Sequence, residues 1–552
     1  MKKLLYLIPL FFLLRTASAQ TPPPDQLHVS FDKPFYVSGE IIWFSVQILN
    51  PQEAPSRLLF LDIVNADGEL LDRQKLAVNE GHAHGDFTIP LEWQEAYYQF
   101  RFYSRWNINY GEDFVYAYDV PIYNEFEGDL VPPDAEISSE EAIETVSGKL
   151  KLEVVGLQDT YERGDNVRLQ IRASRNGQSV SKARLLVSVL DAALFPNDLT
   201  APKQAKLQKN PTPPANFSFA PDTSLMLRAI ISDPVSKTPV TTRFMAVHLS
   251  QSNTMYNTEV EEGLLQLTIP EFYGQQWVQG LNLNPFQNPI PTIDLPGHST
   301  PSVSLPPREK PERSPGVMQY LYLSKLRRKL DEIFEQNLTY LPLEPEQEEE
   351  PDADKTFYME DYQLIEDIET FIKKFIFKSR FLGEGTSKTL RLYSKETQKQ
   401  FEEQPWYLVD GYLTRDEQAV FSLPLEEIER IAFFYRKRTI LKHFAPLMLR
   451  SGVLAIYSKK GKLLVEEARL DRNSVLFEGF APRKTFKVED SGAPDFRPLV
   501  YWNPLILTDE NGIAEVSFVN SDAVSNFVIR LTGISGEGDW GSLQFPYATT
   551  FE

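Results

Sequence analysis

Short apolar-rich runs, broken at close intervals by Asn, Asp, Gly and Pro, dominate this sequence, and that rhythm admits few folds other than antiparallel β-sandwiches. From Leu27 to about Tyr123 the runs Ile41 to Leu49, Leu58 to Val64 and Tyr97 to Tyr103 read as strands. Asn65-Ala66-Asp67-Gly68 reads as a hairpin turn, because these residues tolerate the positive φ such turns demand. Residues 26–124 are therefore expected to form one sandwich. Residues 125–147, acidic and carrying Pro132-Pro133, read as a linker. The alternation restarts with Leu150 to Val154, Val167 to Ala173 and Ala183 to Leu190, around an Asn176-Gly177 turn, and predicts a second sandwich over 148–222. A third β domain is expected over 223–284, with Leu264 to Ile269 its clearest strand.

Between 285 and 315 prolines are too frequent for a sheet interior, so this segment is expected to run extended and exposed as a linker. Helical spacing first appears at Tyr320, Leu321, Leu323, Leu326, Leu330, Ile333 and Phe334. Residues 316–354 thus read as a helix, Val317 to Leu338, followed by the acidic spacer Glu344 to Asp354, whose self-repelling charge and prolines oppose compact order. Residues 355–462 mix strands and helices, with an amphipathic helix expected from Tyr362 to Phe377, and 463–552 return to β patterning. The expected fold class is mainly β and multidomain: tandem immunoglobulin-like sandwiches, with a small α/β domain before a C-terminal β region.

Lys2 and Lys3 precede an apolar run from Leu4 to Leu14, Arg15 ends it, and Ala17, Ser18 and Ala19 are small. This is the layout of a secretory signal peptide over 1–19, cleaved before Gln20, and the run is shorter than the ~20 residues a spanning helix needs. The mature chain is expected to be exported, without a transmembrane helix. The sequence has no cysteine, which excludes disulfides, thiolate metal sites, thiol nucleophiles and a lipidated N-terminal cysteine. A net charge of −21 repels phosphate backbones, so nucleic acid is not an expected partner. The sequons at Asn216 and Asn337 read as chance matches.

Five local patterns invite a chemical reading. Gly383-Glu384-Gly385-Thr386-Ser387-Lys388-Thr389 resembles a phosphate loop, but Ser387 stands where a glycine is needed and Leu390 to Tyr393 reads as a strand rather than a helix. His82 and His84 would share one face of a strand and could offer two metal ligands, yet Gly81 and Gly85 flank them and an exposed turn is the expected setting. Six histidines and no Gly-x-Ser-x-Gly elbow give no signature of a Ser/His/Asp hydrolase. Carboxylates are too abundant for counting to identify an acid/base pair. Asp509-Glu510-Asn511-Gly512 lacks the remaining ligands of a calcium loop and reads as a hairpin turn between strands. No catalytic, cofactor-binding or metal-binding residue is assigned, no cofactor is expected, and the pattern singles out no partner-binding residues.

Five stretches carry a family resemblance. Val29 to Phe44, containing Lys33-Pro34-Phe35-Tyr36-Val37-Ser38-Gly39-Glu40, resembles the opening of a macroglobulin domain, and Tyr161-Glu162-Arg163-Gly164-Asp165-Asn166-Val167 looks like a second copy. In both, an aromatic anchors the sandwich and Gly39 or Gly164 permits the bend into the next strand. The region 223–284 is similar to a carboxypeptidase-regulatory-like domain in Ile231 to Pro239 and Gly263 to Pro270. Residues 355–462 look like a reduced plug domain of TonB-dependent receptors, through Pro405 to Gly411, Leu425 to Ile431 and Ser451 to Lys459. Phe496 to Pro504 with Asp509 to Phe518 is similar to a stretch of α-macroglobulins and of exported Bacteroidetes proteins that combine such modules, which makes 463–552 a C-terminal macroglobulin-like region. The resemblance departs from its families twice: too few residues follow the plug-like region for a receptor barrel, and without cysteine there is no thioester to trap a protease. It implies a non-enzymatic scaffold at the periplasm or outer membrane whose partner is another envelope protein. The alternative is a module binding a polysaccharide or peptide nutrient through the aromatics from Trp93 to Trp106.

Overall fold

The computed structural model describes residues 21–50, 55–127, 148–195, 213–240, 242–282, 291–297, 300–333, 341–342, 352–362, 364–383, 388–461, 473–486 and 494–550. The leader expected at 1–19, most of the acidic linker and the run Glu344 to Pro351 lie outside them. The chain is mainly β and multidomain, as its patterning requires.

The first sandwich packs a 3-stranded sheet, Leu27–Phe31, Ile41–Ile48 and His82–Thr88, on a 5-stranded one ordered Tyr36–Val37, Tyr116–Tyr123, Ala96–Tyr103, Leu58–Val64 and Leu70–Ala77. Phe44, Val46, Leu61, Ile63, Phe100 and Phe102 fill the space between the sheets. The strand Ile41–Ile48 is buried on both faces: Phe44 and Val46 face this core, and Trp43 packs outward against Leu499 and Trp502.

The second sandwich is discontinuous, and this corrects the expected boundaries 148–222 and 463–552. Arg184–Asp191 pairs on one side with Leu499–Leu507 and on the other with Asn526–Ile534. Asn166–Arg175 likewise pairs with Ile513–Val519. The two stretches are halves of one domain. Each half alone would leave unpaired backbone along an apolar strand, and closure onto the other half satisfies it. The macroglobulin-like likeness of the two openings corresponds to shared topology. In each sandwich the strand before the glycine bend pairs parallel with the last strand, Tyr36–Val37 with Ile122 and Tyr123, and Thr160–Glu162 with Ala548 to Thr550. Gly39 and Gly164 take φ of +89° and +71°, where a side chain would be strained.

Everything between the halves is an insertion. A 7-stranded sheet runs Thr292–Asp294, Met226–Ser232, Leu264–Thr268, Thr254–Glu261, Thr242–Leu249, Gln275–Asn282, Ser474–Glu478. It therefore exceeds the expected domain 223–284 at both edges. The proline-rich segment 285–315 departs from its expected exposure, because it contributes Thr292–Asp294 to that sheet and then lies across the first sandwich. Its carbonyls accept hydrogen bonds there, Ser304 O from Gln99 Nε2 at 3.0 Å and Glu312 O from Tyr123 OH at 2.8 Å. Proline lacks an N–H yet keeps its acceptor, so such a segment suits a surface rich in donors.

The last unit is a 5-stranded mixed sheet ordered Lys355–Tyr358, Ile428–Phe434, Val453–Ser458, Trp406–Val409, Tyr412–Thr414. The helix Ile368–Phe375 buries Ile368, Phe371 and Ile372 on it. That helix starts later than the expected Tyr362, because Asp367 caps it through Thr370 N at 2.6 Å.

The helix Pro315–Ile333 sets Val317, Tyr320 and Leu321 against Phe35, Phe195 and Trp502, joining the two sandwiches. At its centre lies a buried polar network. Lys33 Nζ donates to Glu40 Oε2 at 2.7 Å, and Tyr320 OH donates to Glu40 Oε1 at 2.7 Å. Burial alone would raise the Glu40 carboxyl, but Lys33 and the hydrogen bonds to Lys33 and Tyr320 hold it below its ordinary value. Removing one partner strands a buried charge, so Lys33→Ala should cost about 3–5 kcal/mol and Tyr320→Phe about 1 kcal/mol. Urea unfolding of the full chain measures both; equal midpoints for Lys33→Ala and wild type would refute this role.

Candidate functional site

The Gln279 side chain fastens the mixed α/β unit to the 7-stranded sheet through both ends of its amide. Gln279 Nε2 donates to Leu413 O at 2.9 Å, and Leu413 N donates to Gln279 Oε1 at 2.8 Å, so the amide pairs with the backbone as a neighbouring strand would. His248 Nδ1 lies 3.2 Å from the same oxygen, and His248 Nε2 lies 3.0 Å from Asn253 Oδ1. Ala246 and Leu281 of the sheet pack among Leu408, Leu413, Phe434 and Ala455. At Gly411, φ is +83° and an added Cβ would stand 2.4 Å from Ser250 O. That glycine lets the Asp410-Gly411 turn touch the turn before Thr254–Glu261.

Beside this seam opens a cleft of about 720 Å³, walled by Ser250 to Met255 on the sheet and by Glu429, Arg430, Lys442, His443 and Tyr457 on the α/β unit. The Arg430 guanidinium stacks 3.9 Å from the Tyr457 ring centroid, a geometry that holds a planar cation in place. Asp410 accepts from Ser458 N and Ser458 Oγ, both at 2.7 Å, fixing the floor. Two buried polar atoms of the wall, Ser252 Oγ and His443 Nε2, have no hydrogen-bond partner among the described residues. Burial, then the Lys442 ammonium, lowers the His443 pKa, so its imidazole is neutral near pH 7. The cleft is a hydrogen-bonding recess with capacity left for a polar guest.

The plug-like motifs met earlier in the sequence converge here: Asp410-Gly411, Arg430 and Tyr457-Ser458 come from its three quoted stretches. Gln279, Ser252 and His443 carried no sequence signal, because their partners lie more than a hundred residues away or are absent.

The other candidates lie elsewhere. His82 and His84 are on the strand His82–Thr88 and not in an exposed turn, which corrects that expectation. Their rings stack with centroids 5.2 Å apart, His82 Nε2 lies 3.0 Å from Ser45 Oγ, and His84 Nε2 lies 3.4 Å from Arg483 Nη1. Packing between the first sandwich and its neighbours, rather than solvent, surrounds them. Trp93 stacks on Tyr98 at 4.2 Å and Trp106 on Phe217 at 4.8 Å, so these rings serve packing. Of the phosphate-loop-like stretch, Glu384 to Ser387 lie outside the described residues, and Thr389–Arg391 is a strand as expected. Asp509 Oδ1 accepts from Asn511 N at 2.9 Å and Ile513 N at 2.8 Å. The turn so formed joins strands of two different sheets, and is not the hairpin expected. Among the described residues, no group of three or more His, Asp or Glu could hold a metal ion.

Two outcomes test this geometry. Gln279→Leu leaves Leu413 N and O without partners at a buried seam, at a cost of about 2–4 kcal/mol for the pair. Hydrogen exchange of the Leu413 amide should accelerate selectively, while amides of Ile41–Ile48 keep their protection. Burial, then Arg483, pushes the His84 pKa down to about 4. An unfolded histidine takes its proton near pH 6.5, so the stability His84 contributes is full above that pH and lost as pH falls towards 4. His84→Gln should therefore narrow the drop in melting temperature between pH 7 and pH 5.

No family model matches the chain, and no curated protein matches it. Among solved structures it is similar to trypsin-activated α-2-macroglobulin from Escherichia coli, at 9% identity and a TM-score of 0.25, covering 96% of this chain and 42% of that one. It is similar also to the native conformation of the Escherichia coli protein, at 10% identity, and to Salmonella α-2-macroglobulin reacted with methylamine, at 9%, each with a TM-score of 0.25 and covering 96% of this chain and 40% of that one. The chain thus spans about two fifths of the length of the macroglobulins it is similar to.

Proposed function

We propose that the protein is a non-enzymatic interaction scaffold of the bacterial cell envelope, working at the periplasmic or outer-membrane level and accessory to a TonB-dependent transport or other outer-membrane complex. The observation that carries this reading is the cleft beside Gln279: a recess of about 720 Å³, with buried Ser252 Oγ and His443 Nε2 unmatched among the described residues. Such a recess suits a polar loop or strand end of a partner protein, which would bring the missing hydrogen bonds. The plug-like resemblance of 355–462 supports the outer-membrane setting, and the leader-like first 19 residues support export. The alternative, a module for a polysaccharide or peptide nutrient, relied on the aromatics from Trp93 to Trp106. It loses that support, because those rings pack against Tyr98 and Phe217.

A photo-crosslinking residue at Glu429, which is exposed and lines the cleft, tests the proposal against the same residue at Arg172, exposed on the second sandwich. In intact cells the Glu429 position should yield one discrete adduct with an envelope protein, absent from the Arg172 position. Identical adducts from both positions, or none, would overturn it.

A further inference from the structure

A second cavity, of about 350 Å³, lies where the first sandwich, the helix Pro315–Ile333 and the segment entering Leu499–Leu507 meet. Trp43, Phe496 and Leu499 supply apolar wall, and Arg327 and Arg497 supply positive charge. Both guanidinium groups are held in place. Arg497, only 7% exposed, donates through Nε to Asp495 Oδ1 at 2.7 Å, and Arg327 lies over the Tyr320 ring at 5.1 Å. Each nevertheless keeps a buried terminal nitrogen, Arg327 Nη2 and Arg497 Nη1, with no acceptor among the described residues. A buried charged donor left unpaired is costly, and an incoming oxyanion would recover that cost.

The carboxylates of the wall do not fill that role. Glu40 is taken by Lys33 and Tyr320, and Asp495 by Arg497. Asp32 Oδ1 accepts from Tyr36 OH at 2.6 Å and Trp43 N at 2.9 Å, while Oδ2 has no partner among the described residues. Its charge opposes an anion, but the neighbouring Lys33 ammonium and the Arg530 guanidinium offset it. The Arg327 guanidinium and the remaining Arg497 Nη1, both held in place beside apolar surface, suit an oxyanion on an apolar body better than a bare anion.

We propose that this cavity binds a carboxylate carried on a small apolar group, the chemistry presented by a peptide's C-terminal apolar residue or by a capped apolar amino acid. The site is separate from the cleft beside Gln279 and does not depend on that reading. Binding would join three parts of the chain that meet at the wall, so an occupied cavity should also raise the melting temperature.

Calorimetry on the full chain tests this with N-acetyl-leucine, N-acetyl-leucinamide, acetyl-Ala-Ala-Leu and inorganic phosphate. The acid should bind at least about tenfold tighter than its amide, and Arg327→Gln should weaken it by about tenfold. Arg327→Lys keeps the charge and loses the fork, and gives an intermediate loss if Arg327→Gln does not fold. Binding of acetyl-Ala-Ala-Leu as tight as the capped amino acid marks a peptide terminus as the source; binding of the capped amino acid alone marks a free metabolite. Equal affinity for acid and amide, phosphate binding as tight as the acid, an unchanged affinity in both Arg327 variants, or no heat from any ligand would overturn the proposal.

Discussion

The buried contact among Lys33, Glu40 and Tyr320 is the constraint on which the arrangement of the sandwiches depends. Glu40 belongs to the bend of the first sandwich and Tyr320 to a helix far along the chain, so their hydrogen bond links a local turn to tertiary structure. The same helix packs Val317 and Leu321 beside Trp502 and Val528 of the second sandwich. A charge buried this deeply is tolerable only when every partner is in position. The network therefore specifies one placement of the helix among the many that apolar packing alone would allow. Next to it, burial pushes the Asp32 carboxyl up to about 6 and the Arg530 guanidinium down to about 10, the signature of charges gathered at a dry seam between domains.

Discontinuity of the second sandwich has a consequence for folding. Arg184–Asp191 sits between two strands from the C-terminal part of the chain, so its sheet cannot close until nearly the whole sequence is available. Contacts of such sequence separation are slow to form. The inserted α/β unit has its own core, and the 7-stranded sheet shares one with Leu58, Phe60 and Tyr103 of the first sandwich, so both can form earlier. Their edge is sealed late as well, since Ser474–Glu478 pairs with Gln275–Asn282.

Turns and strands were legible because their signals are local. Asn65 to Gly68 and Asn176-Gly177 turn where their residue types permit positive φ, and the helix from Pro315 follows the spacing of Tyr320, Leu321 and Leu330. Domain boundaries were not legible, because a strand's pattern states which face is buried and not which strand will lie beside it. The glycines beside His82 and His84 suggested a turn, and Gly81 does turn, at φ of +76°, yet both histidines and Gly85 lie past it in a strand paired with Ile41–Ile48. Of the cleft, Asp410-Gly411, Arg430 and Tyr457-Ser458 stood out in the sequence; Gln279 did not, as a lone glutamine in a strand carries no pattern.

By itself the sequence determined a chain of β-sandwiches with one mixed α/β unit, the absence of thiol chemistry, and a charge that disfavours nucleic acid. Alternation, turn residues and composition act over a few neighbours, and those properties need nothing more. Only the tertiary structure decided that 148–195 and 494–550 share one domain, and that His82 is buried and His84 half-buried on one strand. It alone placed Arg327 and Arg497 beside a common cavity. These are relations between residues that the chain separates by tens to hundreds of positions, and only burial and strand pairing bring them together.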